Sequence, residues 1–222
     1  MAVALVLAMV IGAACVNPPP RDEFAALGTV PVTLPIDPRS ATVRIRSETC
    51  EGIGVGSGFL LDQHTIITNR HVVEGATNLS VETYEGTMLD VEVASQGRLA
   101  DLAVLKIKSG IGQAARLAPE DPAVGTHIRA FGYAGGGPMR VTEGKITGFV
   151  SDKQLGNSRP VMTATVEIRP GNSGGPALDD DGNVIGVVYA IMLASKLAMI
   201  IPLSTLKGVL NDHKLLKPVK PC

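Results

Sequence analysis

The chain contains no tryptophan, and aromatic residues make up only 3% of it. Its core must therefore be built from Val, Ile, Leu and Ala rather than from rings. It has no long run of Lys or Arg, and a formal net charge of -1. That balance argues against nucleic acid or another polyanion as partner. The apolar run Ala2 to Ala14 is too short to cross a bilayer comfortably. The glycines Gly135, Gly136 and Gly137 lack the Gly-Lys-Ser/Thr ending and following helix of a phosphate loop; the segment reads as a flexible loop. Asp179-Asp180-Asp181-Gly182-Asn183 lacks the spaced ligands and closing Glu of a calcium loop, so it reads as a solvated hairpin turn. Neither a metal nor an organic cofactor is implied.

What is present points to sheet. The 222 residues include 25 glycines and many β-branched side chains, a composition of strands joined by turns. Ala2 to Ala14 suits the apolar region of an export signal, 1–14, with small residues ahead of Cys15 where cleavage would fall. Cleavage of the lipoprotein type would leave Cys15 lipidated and tether the chain to a membrane. The proline-rich stretch 15–39 reads as a linker. From there to residue 222 the pattern is that of a folded domain. It has halves at about 40–112 and 120–212, joined across Lys108 to Pro122, and a tail at 213–222.

Val43 and Ile45 alternate with Thr42, Arg44 and Arg46, the period of a strand with one buried face. The glycine-spaced run Gly52 to Leu61 suggests strand bends of the kind found at barrel corners. Alternation continues at Leu79 to Tyr84, Met88 to Val93 and Val124 to Tyr133; Leu102 to Ile107, Met162 to Ile168 and Val184 to Ala190 read as further strands, the last of them buried. Ser204 to Asn211 reads as a helix with Ser204 as its N-cap.

Three stretches carry chemistry. In Arg169-Pro170-Gly171-Asn172-Ser173-Gly174-Gly175-Pro176, Gly171 permits a positive φ, so that successive amides of Gly171-Asn172-Ser173 form a concavity. The amides of Gly171 and Ser173 would then face an oxygen that becomes negative when Ser173 attacks a carbonyl. A serine hydroxyl needs a base to act at neutral pH. Ile67-Thr68-Asn69-Arg70-His71-Val72-Val73 places a histidine directly after a strand, whereas His64, His127 and His213 lack such a setting. Asp101 stands at the start of an apolar strand, where an unpaired carboxylate would be costly, and so requires a donor.

Ser57-Gly58-Phe59, the His71 stretch, Asp101-Leu102-Ala103-Val104-Leu105-Lys106 and the octapeptide together resemble the trypsin-like serine proteases of the chymotrypsin fold, especially the bacterial HtrA-type branch. The resemblance runs from about Val43 to Leu210. It implies an all-β protein of two packed six-stranded antiparallel β-barrels with a short C-terminal helix; no PDZ domain is expected after them, because the chain ends shortly after the second barrel. His71 would be the base, Asp101 the acid that orients it, and Ser173 the nucleophile of an exported serine endopeptidase working through an acyl-enzyme. Peptides or unfolded proteins would be its substrates. Glu167 falls near the floor of the primary pocket in that family and would favour Arg or Lys. Tyr189, Ala190, Ile191 and Met199 favour a small or medium apolar side chain instead. Two other classes stand beside this reading: a non-catalytic peptide-binding module on the same fold, and a structural envelope lipoprotein.

Of the three cysteines, Cys50 and Cys222 are placed as in the periplasmic, acid-stress-linked serine proteases of mycobacteria and their actinobacterial relatives. In an exported protein a bridge between them would tie down the tail, although sequence alone leaves the pairing open.

Overall fold

A computed structural model of the chain describes residues 37–97, 99–108, 113–153 and 157–222. The export signal 1–14, Cys15 and nearly all of the linker lie outside the described residues.

Six strands form the first barrel: β1 (Thr42–Thr49), β2 (Gly52–Asp62), β3 (Thr65–Thr68), β4 (Asn78–Glu82), β5 (Met88–Gly97) and β6 (Ala103–Ile107). They pair in the order β1-β2-β3-β6-β5-β4, and β4 closes the barrel against β1. The second barrel is built from β7 (His127–Gly132), β8 (Arg140–Val150), β9 (Val161–Ala164), β10 (Pro176–Leu178), β11 (Val184–Met192) and β12 (Leu197–Pro202). Its order is β7-β8-β9-β12-β11-β10, closed by β10 against β7. The two halves thus repeat one topology without repeating sequence. Closure gives each strand of either ring a partner on both sides along at least part of its length, which suits a chain with so many β-branched strands.

The interiors are aliphatic. Val43, Ile45, Leu60, Ile66, Val73, Val81 and Leu105 fill the first barrel. Ile128, Ile146, Met162, Leu178, Ile185, Val187 and Ile200 are among those that fill the second. Phe59, Ile67, Leu102 and Val104 belong to the same cluster as the second barrel's core, so apolar packing is continuous from one barrel into the other.

Three short helices accompany the barrels: α1 (Pro38–Ala41), α2 (Arg70–Val73) and α3 (Leu203–Asn211). In α3, Leu206 and Val209 are buried. Ser204 is not its N-cap. The helix starts one residue earlier, Pro202 occupies the cap position, and the amide of Ser204 donates to Asp121 Oδ1 at 2.8 Å. A carboxylate from a distant loop thus does the capping work that the local sequence suggested for Ser204.

The tail returns to the first barrel. β13 (Leu216–Pro218) pairs with β5, and Cys222 donates its amide to Gly75 O at 3.1 Å and is bonded to Cys50. The bridge joins positions 172 residues apart, a loop length for which chain entropy gives about 5 kcal/mol. Replacing both cysteines by serine is expected to lower unfolding free energy by about 2 to 5 kcal/mol in urea titration; an unchanged midpoint would mean that the β13 pairing holds the tail without the bridge.

Candidate active site

The β3–β6 ladder brings the histidine and the aspartate together. Thr65 faces Lys106 and Thr68 faces Ala103, so two steps past the ladder residue 70 falls opposite 101. There the chain turns into α2, whose Val72 and Val73 are buried. His71, between Arg70 and these anchors, keeps a side chain that is 46% exposed. Its Nδ1 lies 2.6 Å from Asp101 Oδ2, and its amide donates to Asp101 Oδ1 at 3.0 Å. With Nδ1–H donating its hydrogen bond to the carboxylate, Nε2 of the neutral ring carries the lone pair and is able to accept a proton.

Asp101 is 5% exposed, and its surroundings supply the donors that burial demands. Beyond the two bonds from His71, Arg70 Nε lies 3.9 Å from Oδ1. The backbone of Asp101 is held from two sides: Asn69 Nδ2 donates to its carbonyl at 2.7 Å, and its own amide donates to Asn157 Oδ1 at 3.1 Å. Asn157 in turn donates to Asp152 Oδ2 at 3.0 Å, which also accepts from the Tyr189 hydroxyl at 2.5 Å. Burial, and then the hydrogen bond to Asp152, pushes the Tyr189 hydroxyl far above the ordinary phenol range, so it remains a donor at any working pH. Sequence reasoning does not single out Asn69, Asp152 or Asn157. Asn69 sits within the His71 stretch, where the histidine takes the attention, and the other two come from a stretch without a motif about fifty residues from Asp101. A polar pair followed by Asn before β9 is the faint signal they leave.

Ser173 stands at the end of the loop that leads into β10. Its carbonyl accepts from Ser57 N at 2.8 Å, and the amides of Gly174 and Gly175 donate to Val188 O and Asn172 O. At Gly174, φ is +88° and a Cβ would lie 2.1 Å from Ser57 O and 2.3 Å from Thr68 Oγ1. Only glycine lets the Ser173 loop approach the end of β3, from which the chain runs on to His71. Ser57 and Val72 both touch this junction, through Ser173 O and through Gly56. The Ser173 hydroxyl itself donates to Tyr189 O at 3.3 Å.

Two peptide planes in this loop are fixed. Pro170 O accepts from Gly135 N at 2.7 Å, and Asn172 O accepts from Gly175 N at 3.0 Å. A trans peptide points its N–H opposite to its carbonyl, so the amides of Gly171 and Ser173 are turned away from these partners. Among the described residues neither donates a hydrogen bond. Gly171 reaches this arrangement at φ +97°, with Tyr133 O only 2.4 Å from where a Cβ would stand. Asn172 differs, because its amide donates to Arg169 O at 3.0 Å and its side chain accepts from Arg169 N at 3.2 Å. Of the three residues in the expected concavity, two therefore present open amides and the third braces the turn.

The glycine run 135–137, expected to be a flexible loop, instead forms a 3-10 turn at Ala134–Gly136 with internal bonds from Gly136 N and Gly137 N. Glu167 lines a small cavity of about 110 Å³ with Arg140, Thr142, Arg169 and Asn172. Its carboxylate is 67% exposed and pairs with Arg169 at 2.7 Å. Tyr189 is the bulged residue of β11, between Val188 and Ala190 in the ladder with β12, and such bulges redirect side chains. Its ring is buried and its hydroxyl lies 3.9 Å from Met199 Sδ, while Ala190 and Ile191 are half-buried beside it. A cleft of about 550 Å³ adjoins His71, walled by Cys50, Cys222, Ile53 and Glu74. His64 and His127 lie elsewhere, facing Ile107 O and Asp180 respectively.

Residues 56–187 match the family described as Trypsin-like peptidase domain. Among similar proteins, "Putative serine protease HhoB" of Synechocystis sp. is 37% identical over 175 residues, 72% of this chain and 40% of its own length. "Serine protease Do-like HtrA" of Bacillus subtilis is 34% identical over 147 residues, 60% of this chain and 33% of its own. The chain thus spans well under half the length of these relatives. In fold it is similar to the active form of the Rv3671c protease from M. tuberculosis, with a TM-score of 0.71, 25% identity, and coverage of 83% of this chain and 84% of that one. With the match covering more than half of its length, the chain belongs to the trypsin-like peptidase family, with HtrA-type serine proteases among its relatives.

Proposed function

We propose that the chain is an exported serine endopeptidase in which Ser173, His71 and Asp101 act as a triad. The observation that carries this reading is the pair of open amides at Gly171 and Ser173, next to a histidine already aligned by a buried aspartate. Rotation of the Ser173 side chain away from Tyr189 O brings its hydroxyl to His71 Nε2; such contacts tighten only when substrate is bound. Nε2 takes the hydroxyl proton as Oγ attacks the peptide carbonyl, and the carbonyl electron pair moves onto oxygen, received by the two amides. The imidazolium, steadied by Asp101, then gives its proton to the leaving amine as the C–N bond breaks. Water, deprotonated by His71, resolves the acyl-enzyme in the reverse roles.

The substrate backbone has a seat. β10 pairs only with the early part of β11, up to Val187, so the same side of Ala190–Met192 has no strand partner among the described residues. An extended peptide adds there as a further strand. Ala190, Ile191 and Met199 favour a small or medium apolar residue before the cut. The Cys50–Cys222 bridge supports export, since such bridges persist in oxidising compartments. Lipidation at Cys15 belongs to the same proposal.

The Ser173 hydroxyl's bond to Tyr189 O is the one feature that favours the second reading, a non-catalytic peptide-binding module. A fluorophosphonate probe distinguishes them. The wild-type chain is expected to be labelled at Ser173, and Ser173→Ala to lose both labelling and about 10⁴- to 10⁶-fold of peptide-cleavage rate; absence of labelling in the wild type supports the binding module.

Asn157 offers a second check. Asn157→Ala leaves the Asp101 amide without its acceptor and removes one of the two side-chain donors to Asp152 Oδ2, the Tyr189 hydroxyl remaining. A loss of about 1 to 3 kcal/mol in stability is expected, together with a fall of about tenfold in kcat/KM as Asp101 loosens. Unchanged kcat/KM would remove Asn157 from the account of how the acid is held.

A further inference from the structure

The turn that fixes the Pro170–Gly171 peptide plane is itself held from the other barrel. Arg44 lies on β1, directly across from Glu82 on β4. Its Nη2 pairs with the Glu82 carboxylate, its guanidinium lies 5.6 Å from the centre of the Tyr133 ring, and its Nη1 donates to Gly136 O at 2.9 Å. Gly136 closes the turn whose Gly135 amide holds Pro170 O at 2.7 Å. We propose that Arg44 is a positioning residue for oxyanion stabilisation, holding the Gly171 amide in its productive orientation through the turn Ala134–Gly136. The inference rests on the peptidase reading and deepens it.

The physical need for such a strap is local. Gly135 and Gly136 adopt φ of +63° and +73°, and a glycine-rich turn has many other conformations open to it. Its internal bonds, Gly136 N to Tyr133 O and Gly137 N to Ala134 O, fix the turn's shape but not its place relative to Pro170. Place comes from outside. Tyr133 N donates to Ser57 Oγ at 2.9 Å, Ser57 Oγ donates to Gly171 O at 2.7 Å, and Arg44 holds the far end of the turn. Ser57 and Arg44 belong to the first barrel, and Gly171 to the second. Without the guanidinium, the Gly136 end of the turn loses its only bond to the first barrel among those described. The Pro170 carbonyl is then free to rotate into the space the oxyanion needs. A planar guanidinium suits this site because it stacks on Tyr133 while donating in two directions at once.

The test uses the whole chain, a chromogenic peptide amide with small apolar residues before the cut, and a trifluoromethyl ketone of the same peptide. The ketone adds the Ser173 oxygen to form a hemiketal whose oxygen occupies the oxyanion position. Arg44→Met is expected to lower kcat by about 10- to 100-fold, with KM within about twofold, and to weaken ketone binding by the same factor as kcat/KM. Its affinity for the product peptide stays close to that of the wild type. Arg44→Lys recovers part of the loss, because an ammonium still reaches Gly136 O. Arg46→Met, the same charge change on the same face two residues along β1, behaves as wild type. The inference is overturned if Arg44→Met keeps its kcat and ketone affinity, or if it loses ketone and product affinity equally, as general damage to the cleft would. If the wild-type chain neither hydrolyses the amide nor binds the ketone, the peptidase reading fails and this inference falls with it.

Discussion

A planar peptide cannot point its carbonyl and its amide the same way, and the arrangement of the Ser173 loop follows from that constraint applied twice. Holding Pro170 O and Asn172 O on their partners turns the amides of Gly171 and Ser173 away from those partners. Each hold has its own source. Gly175 supplies one from within the loop, and Gly135 supplies the other from a turn docked against the first barrel. Two backbone donors without partners among the described residues carry a cost inside a protein. That cost makes sense where an oxyanion is to be received.

The other arm of the site is set by register. The β3–β6 ladder determines which residues meet beyond its end, and α2 lifts His71 out of the strand line while its neighbours anchor in the core. Asp101 is fixed through both backbone groups by Asn69 and Asn157, so its carboxylate is oriented before any proton moves. Asp152 and the Tyr189 hydroxyl extend this network beneath β11. Tyr189 therefore joins the two arms: its hydroxyl braces the acid's support, and its carbonyl holds the resting Ser173 hydroxyl.

Much of the fold is legible in the chain because alternation and glycine spacing report directly on strands with one buried face. The chemistry-bearing stretches around His71, Asp101 and Ser173 are legible for a different reason: each combines a polar residue with an environment in which it would otherwise be costly. Groups that act through others leave weaker traces. Asn157 and Asp152 are polar residues in a loop, and nothing local says that they will be buried. Glycines 135–137 read as a flexible loop because composition reports the freedom of a segment and not the bonds that remove it. Ser204 reads as a helix cap from its neighbours alone, whereas Asp121 reaches the helix from 83 residues away. Glu167 reads as a pocket floor from its distance in sequence to Ser173, and its pairing with Arg169 on the surface depends on loop geometry that spacing does not encode.

The most direct measurement is a crystal structure of the chain with a peptide boronate bonded to Ser173. The account predicts one boronate oxygen within about 2.7 to 3.1 Å of both the Gly171 and Ser173 amides, with His71 Nε2 against another oxygen and Pro170 O still on Gly135. A boronate oxygen directed to solvent, with the Pro170–Gly171 peptide turned over, would contradict it.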